Sequence, residues 1–104
     1  MSDRIHALET MLARNPYDAR AHFGLAAEYE KVGDWNRVIE HLVKYLAQAD
    51  DQGNAWGRLA NAYRATNDLR AASRAYRNGI EAARKHGHPS MAAEFEDALE
   101  TLAE

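Results

Sequence analysis

Apolar residues recur along this 104-residue chain at the three- and four-residue intervals of an amphipathic helix. The clearest case is residues 35–46, where apolar and polar positions separate onto two helix faces. Six such segments are separated by short breakers, each of which contains proline, glycine or the Asn67-Asp68 pair. The pattern therefore predicts six helices and an all-α fold.

Short polar residues at the start of each segment predict helix caps, because their side-chain oxygens can accept a hydrogen bond from the free amides of the first turn. The residues expected in this role are Ser2 or Asp3, Asp18, Asp34, Asp68 and Ser90. Gly33 can adopt the left-handed conformation that often ends a helix. Local sequence therefore defines where most of the helices begin and end.

The chain contains an internal repeat with an offset of 34 residues, in which residues 56–63 resemble residues 22–29. The matched pairs are Leu25/Leu59, Ala26/Ala60, Tyr29/Tyr63, Val38/Ala72, Leu42/Tyr76 and Leu46/Ile80. Extended backwards, the same register aligns the first predicted helix with the second half of a repeat. A repeat of this kind predicts helix pairs that bury their apolar faces by stacking.

This pattern resembles the tetratricopeptide repeat family, whose unit is a 34-residue helix-turn-helix. The second repeat keeps the residue types typical of the family at Trp56, Leu59, Ala60, Tyr63, Ala72 and Tyr76. The first repeat departs from them at His22, where tryptophan is usual, and at Val38 and Leu42. The resemblance implies a right-handed α-solenoid in one domain, with a half-repeat helix at 2–17, repeats at 19–52 and 53–86, and a capping helix at 90–104.

In this family the first helix of each repeat lines a concave groove that binds a peptide or protein segment. The resemblance implies groove positions at Arg20, Phe23, Ala27 and Glu30 in the first repeat and at Asn54, Gly57, Arg58, Asn61 and Arg64 in the second. Small Ala27 and Gly57 are expected to leave space, and Asn61 can both donate to and accept from a peptide backbone. The family's carboxylate clamp is expected to be incomplete, because Phe23 and Ala27 replace its lysine and asparagine.

Charge is balanced overall, with 13 basic and 16 acidic side chains and a formal net charge of -3, but it is unevenly distributed. Residues 53–86 carry seven basic and two acidic side chains, whereas residues 87–104 carry five acidic and no basic ones. The acidic end of one molecule could meet the basic surface of another, or the two could pair within one chain. Self-assembly through the capping helices is therefore an alternative function.

No enzyme chemistry is expected from this chain. It lacks cysteine, a glycine-rich phosphate loop, a serine elbow and a His-Glu-x-x-His motif. Glu28 and Glu30 are two residues apart, a spacing that turns side chains away from each other on a helix. His86 and His88 lie close together in a breaker, but a metal site would need further ligands. We therefore expect no catalysis, no metal and no cofactor.

Nucleic acid and membranes are not expected as partners. Arg70, Arg74 and Arg77 form a basic stripe that could contact phosphate, and nearby Tyr76 could stack on a base. However, Tyr76 is a core position of the repeat, and charge on an outer helix face is usually solvated. No apolar run could span a bilayer and the N-terminus does not resemble a signal peptide, so a cytoplasmic location is expected.

Overall fold

A computed structural model describes residues 3–103, which form six α-helices and no strand. The helices are α1 (Asp3–Arg14), α2 (Ala19–Val32), α3 (Trp35–Leu46), α4 (Asn54–Ala65), α5 (Leu69–Lys85) and α6 (Pro89–Ala103). The six helices and the all-α class predicted from the sequence are confirmed for this part of the chain. None of the described helices is both long enough and apolar enough to cross a bilayer.

The described chain divides between Ala49 and Asp50 into two compact units. In the first unit, α2 packs against α1 and α3; in the second, α5 packs against α4 and α6. Each unit therefore consists of one complete helix pair of the repeat together with one further helix. The arrangement of both repeats in a single domain stays a prediction.

The core of the first unit lies at positions that the repeat register selects. Leu25, Val38 and Leu42 are completely buried, and so is Ala26, whose small side chain lets neighbouring helices approach closely. Ile5 and Leu8 of α1 are also buried. The apolar stripes that predicted the helices are therefore the surfaces that hold this unit together.

In the second unit, α6 adds an apolar cluster to the α4–α5 pair. Met91, Phe95 and Leu99 of α6 pack against a buried cluster that includes Ile80 and Ala83 of α5. The helical spacing of Phe95, Leu99 and Leu102 in the sequence predicts that these residues form the inner face of this helix. Phe95 and Leu99 do lie there, whereas Leu102 is half-buried and outside the cluster.

Three of the predicted aspartate caps are confirmed by hydrogen bonds to backbone amides. Asp18, Asp34 and Asp68 each accept a bond from the amide three residues later, at 3.1, 3.4 and 3.2 Å. Gly33 ends α2 in the left-handed conformation, with φ 73°.

The remaining cap predictions have different outcomes. Asp3 lies inside the first turn of α1 and Ser2 lies outside the described residues. The prediction for Ser90 was wrong, because α6 begins at Pro89 and the carbonyl of His88 accepts the first helical bond, from Ala92. Proline suits the first helical position, where its missing N–H has no partner to lose.

Gly53 precedes α4 with φ 127°, in a backbone region that only glycine enters readily. A Cβ at this position would lie 2.7 Å from Sδ of Met91 and 3.3 Å from the carbonyl oxygen of Gly79. We therefore expect Gly53→Ala to lower the free energy of unfolding by about 1–3 kcal/mol, measured by urea denaturation. Gly87→Ala is the matched control, since Gly87 also has positive φ but open space around it. An equal loss in both variants would contradict a steric role for Gly53.

Candidate functional site

The α2 positions implied by the family resemblance differ in accessibility. Arg20 is exposed, whereas Phe23, Ala27 and Glu30 are partly buried. The Phe23 ring packs on the ring of Tyr45 from α3, with centroids 4.9 Å apart and planes inclined by 51°. Phe23 therefore contributes to the packing of its own helix pair, and Arg20 is the most accessible side chain of this set.

On α4, three polar residues of the predicted site are exposed: Asn54, Asn61 and Arg64. Asn54 and Asn61 are two helical turns apart, so about 10 Å separates them along one face of the helix. Arg64 lies three residues beyond Asn61, and its Nη1 donates a hydrogen bond of 3.3 Å to the hydroxyl of Tyr76. Arg58, between Asn54 and Asn61 on the same helix, is partly buried. The α4 face thus presents two amides and one tethered guanidinium to solvent.

Gly57 does not provide the open space that the sequence analysis expected. A Cβ at Gly57 would lie 2.6 Å from Cε1 of Phe95, and one at Gly79 would lie 2.9 Å from Cε2 of the same ring. The two glycines, one on α4 and one on α5, form a notch that the Phe95 side chain of α6 fills. This expectation was wrong because the missing side chain makes room for another helix of the same unit.

The repeat register shows how each helix pair fills this position. Phe23 and Tyr45 in the first repeat correspond to Gly57 and Gly79 in the second, at the same 34-residue offset. The first pair occupies the space with its own two rings, while the second receives one ring from α6. The substitution of two aromatic residues by two glycines therefore conserves packing through a residue outside the repeat.

Two buried histidines in the first unit were not predicted as a pair. Nδ1 of His22 lies 3.0 Å from Nδ1 of His41, and Nε2 of His22 lies 2.8 Å from the carbonyl oxygen of Pro16. Because a carbonyl only accepts, Nε2–H of His22 donates to Pro16, and with both rings neutral Nδ1–H of His41 donates to His22. The repeat register gave one sequence signal for this contact. The positions equivalent to His22 and His41 hold Trp56 and Ala75, so a large and a small residue replace two residues of intermediate size.

The surroundings of His41 disfavour its charged form. Its ring stacks on Tyr29 at 5.8 Å with planes 7° apart, and only 7% of the residue is exposed. Burial lowers the pKa of His41 below its usual range, and nearby Glu40, whose Oε1 lies 4.0 Å from Nε2, opposes this effect only in part. The structure therefore favours a neutral His41.

Glu28 forms ion pairs with two neighbouring basic side chains. Its carboxylate lies 2.9 Å from Nζ of Lys31 and 3.4 Å from Nε of Arg4, and the hydrogen bond from Lys31 is the main cause of a lowered Glu28 pKa. Lys31 also borders a cleft of about 650 Å³ in the first unit, as does Arg37, which is paired with Asp34 at 3.1 Å. The cations around this cleft are thus already neutralised by neighbouring carboxylates.

His86 and His88 contact the segment that precedes α4. His88 lies 2.6 Å from Oε1 of Gln52, and Nε2 of His86 lies 3.3 Å from Oδ2 of Asp50, an ion-pair distance without hydrogen-bond alignment. His86 and then Lys85 lower the pKa of the Asp50 carboxyl. Between residues 3 and 103, no three His, Asp or Glu side chains are grouped closely enough to hold a metal ion.

Comparison with known proteins identifies solved structures with a similar fold and a relative in sequence. No protein-family model matches the chain. Solved structures that resemble it include the solution structure of BPP2914 from Bordetella parapertussis, with a TM-score of 0.77 and 25% identity over 99% of this chain and 90% of that one. They also include the crystal structure of MamA, with a TM-score of 0.71 and 20% identity over 94% of this chain and 66% of that one. The likeness to MamA concerns the fold alone.

A curated relative carries the assignment further. Over 83 residues the chain is 36% identical to the TPR repeat-containing protein PA0015 of Pseudomonas aeruginosa strain PAO1, an alignment that covers 80% of this chain and 79% of the relative. The 34-residue offset and the helix pairs α2–α3 and α4–α5 agree with that relationship. The chain therefore belongs to the tetratricopeptide repeat family.

Proposed function

We propose that this chain is a non-catalytic protein-interaction module that binds a peptide or protein segment through the first helices of its repeats. The observation that carries the proposal is the exposed polar face of α4, formed by Asn54, Asn61 and Arg64. The helix positions are those that line the binding groove in the tetratricopeptide repeat family. Among the α2 positions that the resemblance selects, Arg20 is the exposed one.

Asparagine side chains on this face suit an extended polypeptide. An amide group donates and accepts as a peptide bond does, so it can bond a backbone N–H and C=O without regard to the ligand's side chains. The spacing of about 10 Å between Asn54 and Asn61 equals about three residues of extended chain. Two contacts at this spacing would align a bound segment with α4.

Arg64 would supply the charged contact at one end of this face. Its hydrogen bond to Tyr76 restrains the guanidinium, so that less side-chain freedom is lost when a ligand binds. A guanidinium has five N–H donors, and most of them stay available for a carbonyl or carboxylate of the ligand. The expected ligand is therefore an extended segment with an acidic group beside the part that contacts Asn61.

A peptide library displayed on phage tests this proposal, followed by titration of the selected peptides. We expect Asn61→Ala and Arg64→Ala each to weaken binding by about tenfold, the value of one to two hydrogen bonds. Asn78→Ala is the matched control, because Asn78 is also an exposed helical asparagine but lies on α5. Unchanged affinity in both α4 variants, with helix content preserved, would contradict the proposed site.

A further inference from the structure

The exposed face of α5 carries a basic stripe formed by Arg70, Arg74 and Arg77. The three positions are spaced i, i+4, i+7, so they follow one side of the helix over about 10 Å. Among residues 3–103, no carboxylate forms an ion pair with these arginines. The two basic residues at the other end of α5 are different, since Arg84 pairs with Glu96 at 3.1 Å and Lys85 with Asp50 at 3.4 Å.

The exposed face of α6 carries an acidic stripe formed by Glu94, Asp97 and Glu100. The spacing i, i+3, i+6 gives it a length of about 9 Å, close to that of the basic stripe. No cation among the described residues forms an ion pair with these three carboxylates. The Arg84–Glu96 pair joins α5 to α6. The neighbouring stripes on these two helices are therefore not neutralised within the described molecule.

Each stripe has one charge at a helix end where it is unfavourable. Arg70 lies in the first turn of α5, near the positive end of the helix dipole, and Glu100 lies in the last turn of α6, near the negative end. Each charge therefore has the unfavourable sign for its position. Neighbouring arginines at i, i+4 and i, i+3 also repel each other. The stability of the isolated helices does not account for this arrangement.

We propose that the acidic stripe of α6 docks on the basic stripe of α5 in a second copy of this chain, forming a two-fold homodimer in which the contact occurs twice. An antiparallel approach brings Glu100 to Arg70, Asp97 to Arg74 and Glu94 to Arg77. It also places the negative end of α6 beside the positive end of the other copy's α5. The positions of Arg70 and Glu100, unfavourable in their own helices, thus become favourable across the interface.

A contact made of exposed ion pairs is weak and depends on salt. The screening length falls from about 20 Å at 20 mM salt to about 4 Å at 500 mM, so association is confined to low ionic strength. We expect the dimer dissociation constant to rise at least about tenfold over this range, because surface ion pairs are screened. Sedimentation equilibrium at several protein concentrations measures it directly.

Charge reversal tests the pairing. We expect Arg74→Glu alone and Asp97→Arg alone each to be monomeric in low salt, whereas an equimolar mixture of the two variants forms a heterodimer. In that heterodimer, one of the two α5–α6 contacts has both charges reversed, and the other keeps both wild-type residues. Both positions are exposed, so circular dichroism should show unchanged helix content.

Two results would overturn the proposal. One is a monomeric mass for the wild-type protein at all concentrations in low salt. The other is a dimer whose stability neither charge reversal alters, which would assign association to another surface. Asn61→Ala is a control for the proposed peptide site: it should leave dimerisation unchanged, so failure of peptide binding and failure of dimerisation are distinguishable.

Discussion

Replacement of Phe95 by alanine is expected to lower the free energy of unfolding by about 2–3 kcal/mol, less than the about 3–5 kcal/mol typical of a buried aromatic residue, because Phe95 is only partly buried. The ring fills the notch between Gly57 and Gly79 and lies 5.8 Å from the ring of Tyr76. Its removal leaves the notch empty and weakens the attachment of α6. Urea denaturation followed by tryptophan fluorescence measures the loss, and Tyr17→Ala, at a site 76% exposed, is the control expected to change little.

The same notch predicts that Gly57→Ala changes stability in opposite directions with and without Phe95. Alanine normally stabilises a helix interior by up to about 1 kcal/mol relative to glycine. With Phe95 present, however, the new Cβ would meet the ring at 2.6 Å, so the substitution is expected to destabilise the protein. With Phe95→Ala as background, it should stabilise the protein. A double-mutant cycle that gave the same effect in both backgrounds would show that Phe95 does not occupy the notch in solution.

Acidification from neutral pH is expected to destabilise the first unit through the buried histidine pair. The pKa of His41 is lower in the folded state than in the unfolded state, so the unfolded state binds protons more readily. The contribution of His41 to stability is therefore complete above the unfolded pKa of about 6.5 and is lost as the pH falls through it towards the folded pKa. A proton added to His41 would place a positive charge on a residue of which only 7% is exposed.

The second repeat suggests the variant that tests this prediction. The double substitution His22→Trp with His41→Ala introduces the residues found at the equivalent positions, Trp56 and Ala75. It should keep the helix content and reduce the loss of stability between pH 8 and pH 5. His41→Ala alone leaves Nδ1 of His22 without its partner and should cost about 1–3 kcal/mol at neutral pH.

The pH range separates the histidine pair from other titrating groups. The lowered pKa values of Glu28 and Asp50 mean that their contributions are present above pH 4.5 and are lost only as the solution becomes more acidic. His6, which is exposed on α1, provides a control through His6→Gln. A pH profile that the double substitution leaves unaltered would contradict the assignment to His22 and His41.

The parts of the fold that the sequence predicted are those encoded locally or by the repeat. Aspartate caps depend on residues three positions apart, and apolar periodicity depends on a single helix, so both are visible along the chain. The role of Gly57 was not visible, because the residue that fills its missing side chain is Phe95, on a helix outside the repeat. The His22–His41 contact was not visible either, because the two residues lie 19 positions apart on different helices.

The sequence predicted which positions form the candidate binding face, but not the exposure or the contacts of their side chains. The family resemblance selected Asn54, Asn61 and Arg64, and the structure adds their exposure and the tether from Arg64 to Tyr76. Partner identity depends on the shape and charge of a second molecule, which no helix periodicity encodes. The contacts of Phe23 with Tyr45 and of Gly57 with Phe95 also depend on tertiary packing.

The two repeats differ at pairs of positions, one on each helix, and these differences limit how far single helices can be exchanged between the repeats. Phe23 and Tyr45 correspond to a glycine pair, and the two histidines correspond to Trp56 with Ala75, so the two helices of a repeat differ together. A single helix of consensus sequence would bring only one of the two residues that differ together. Engineers who extend or recombine this array should therefore exchange whole helix pairs, and any unit placed after residue 86 should bring an aromatic side chain for the two glycines.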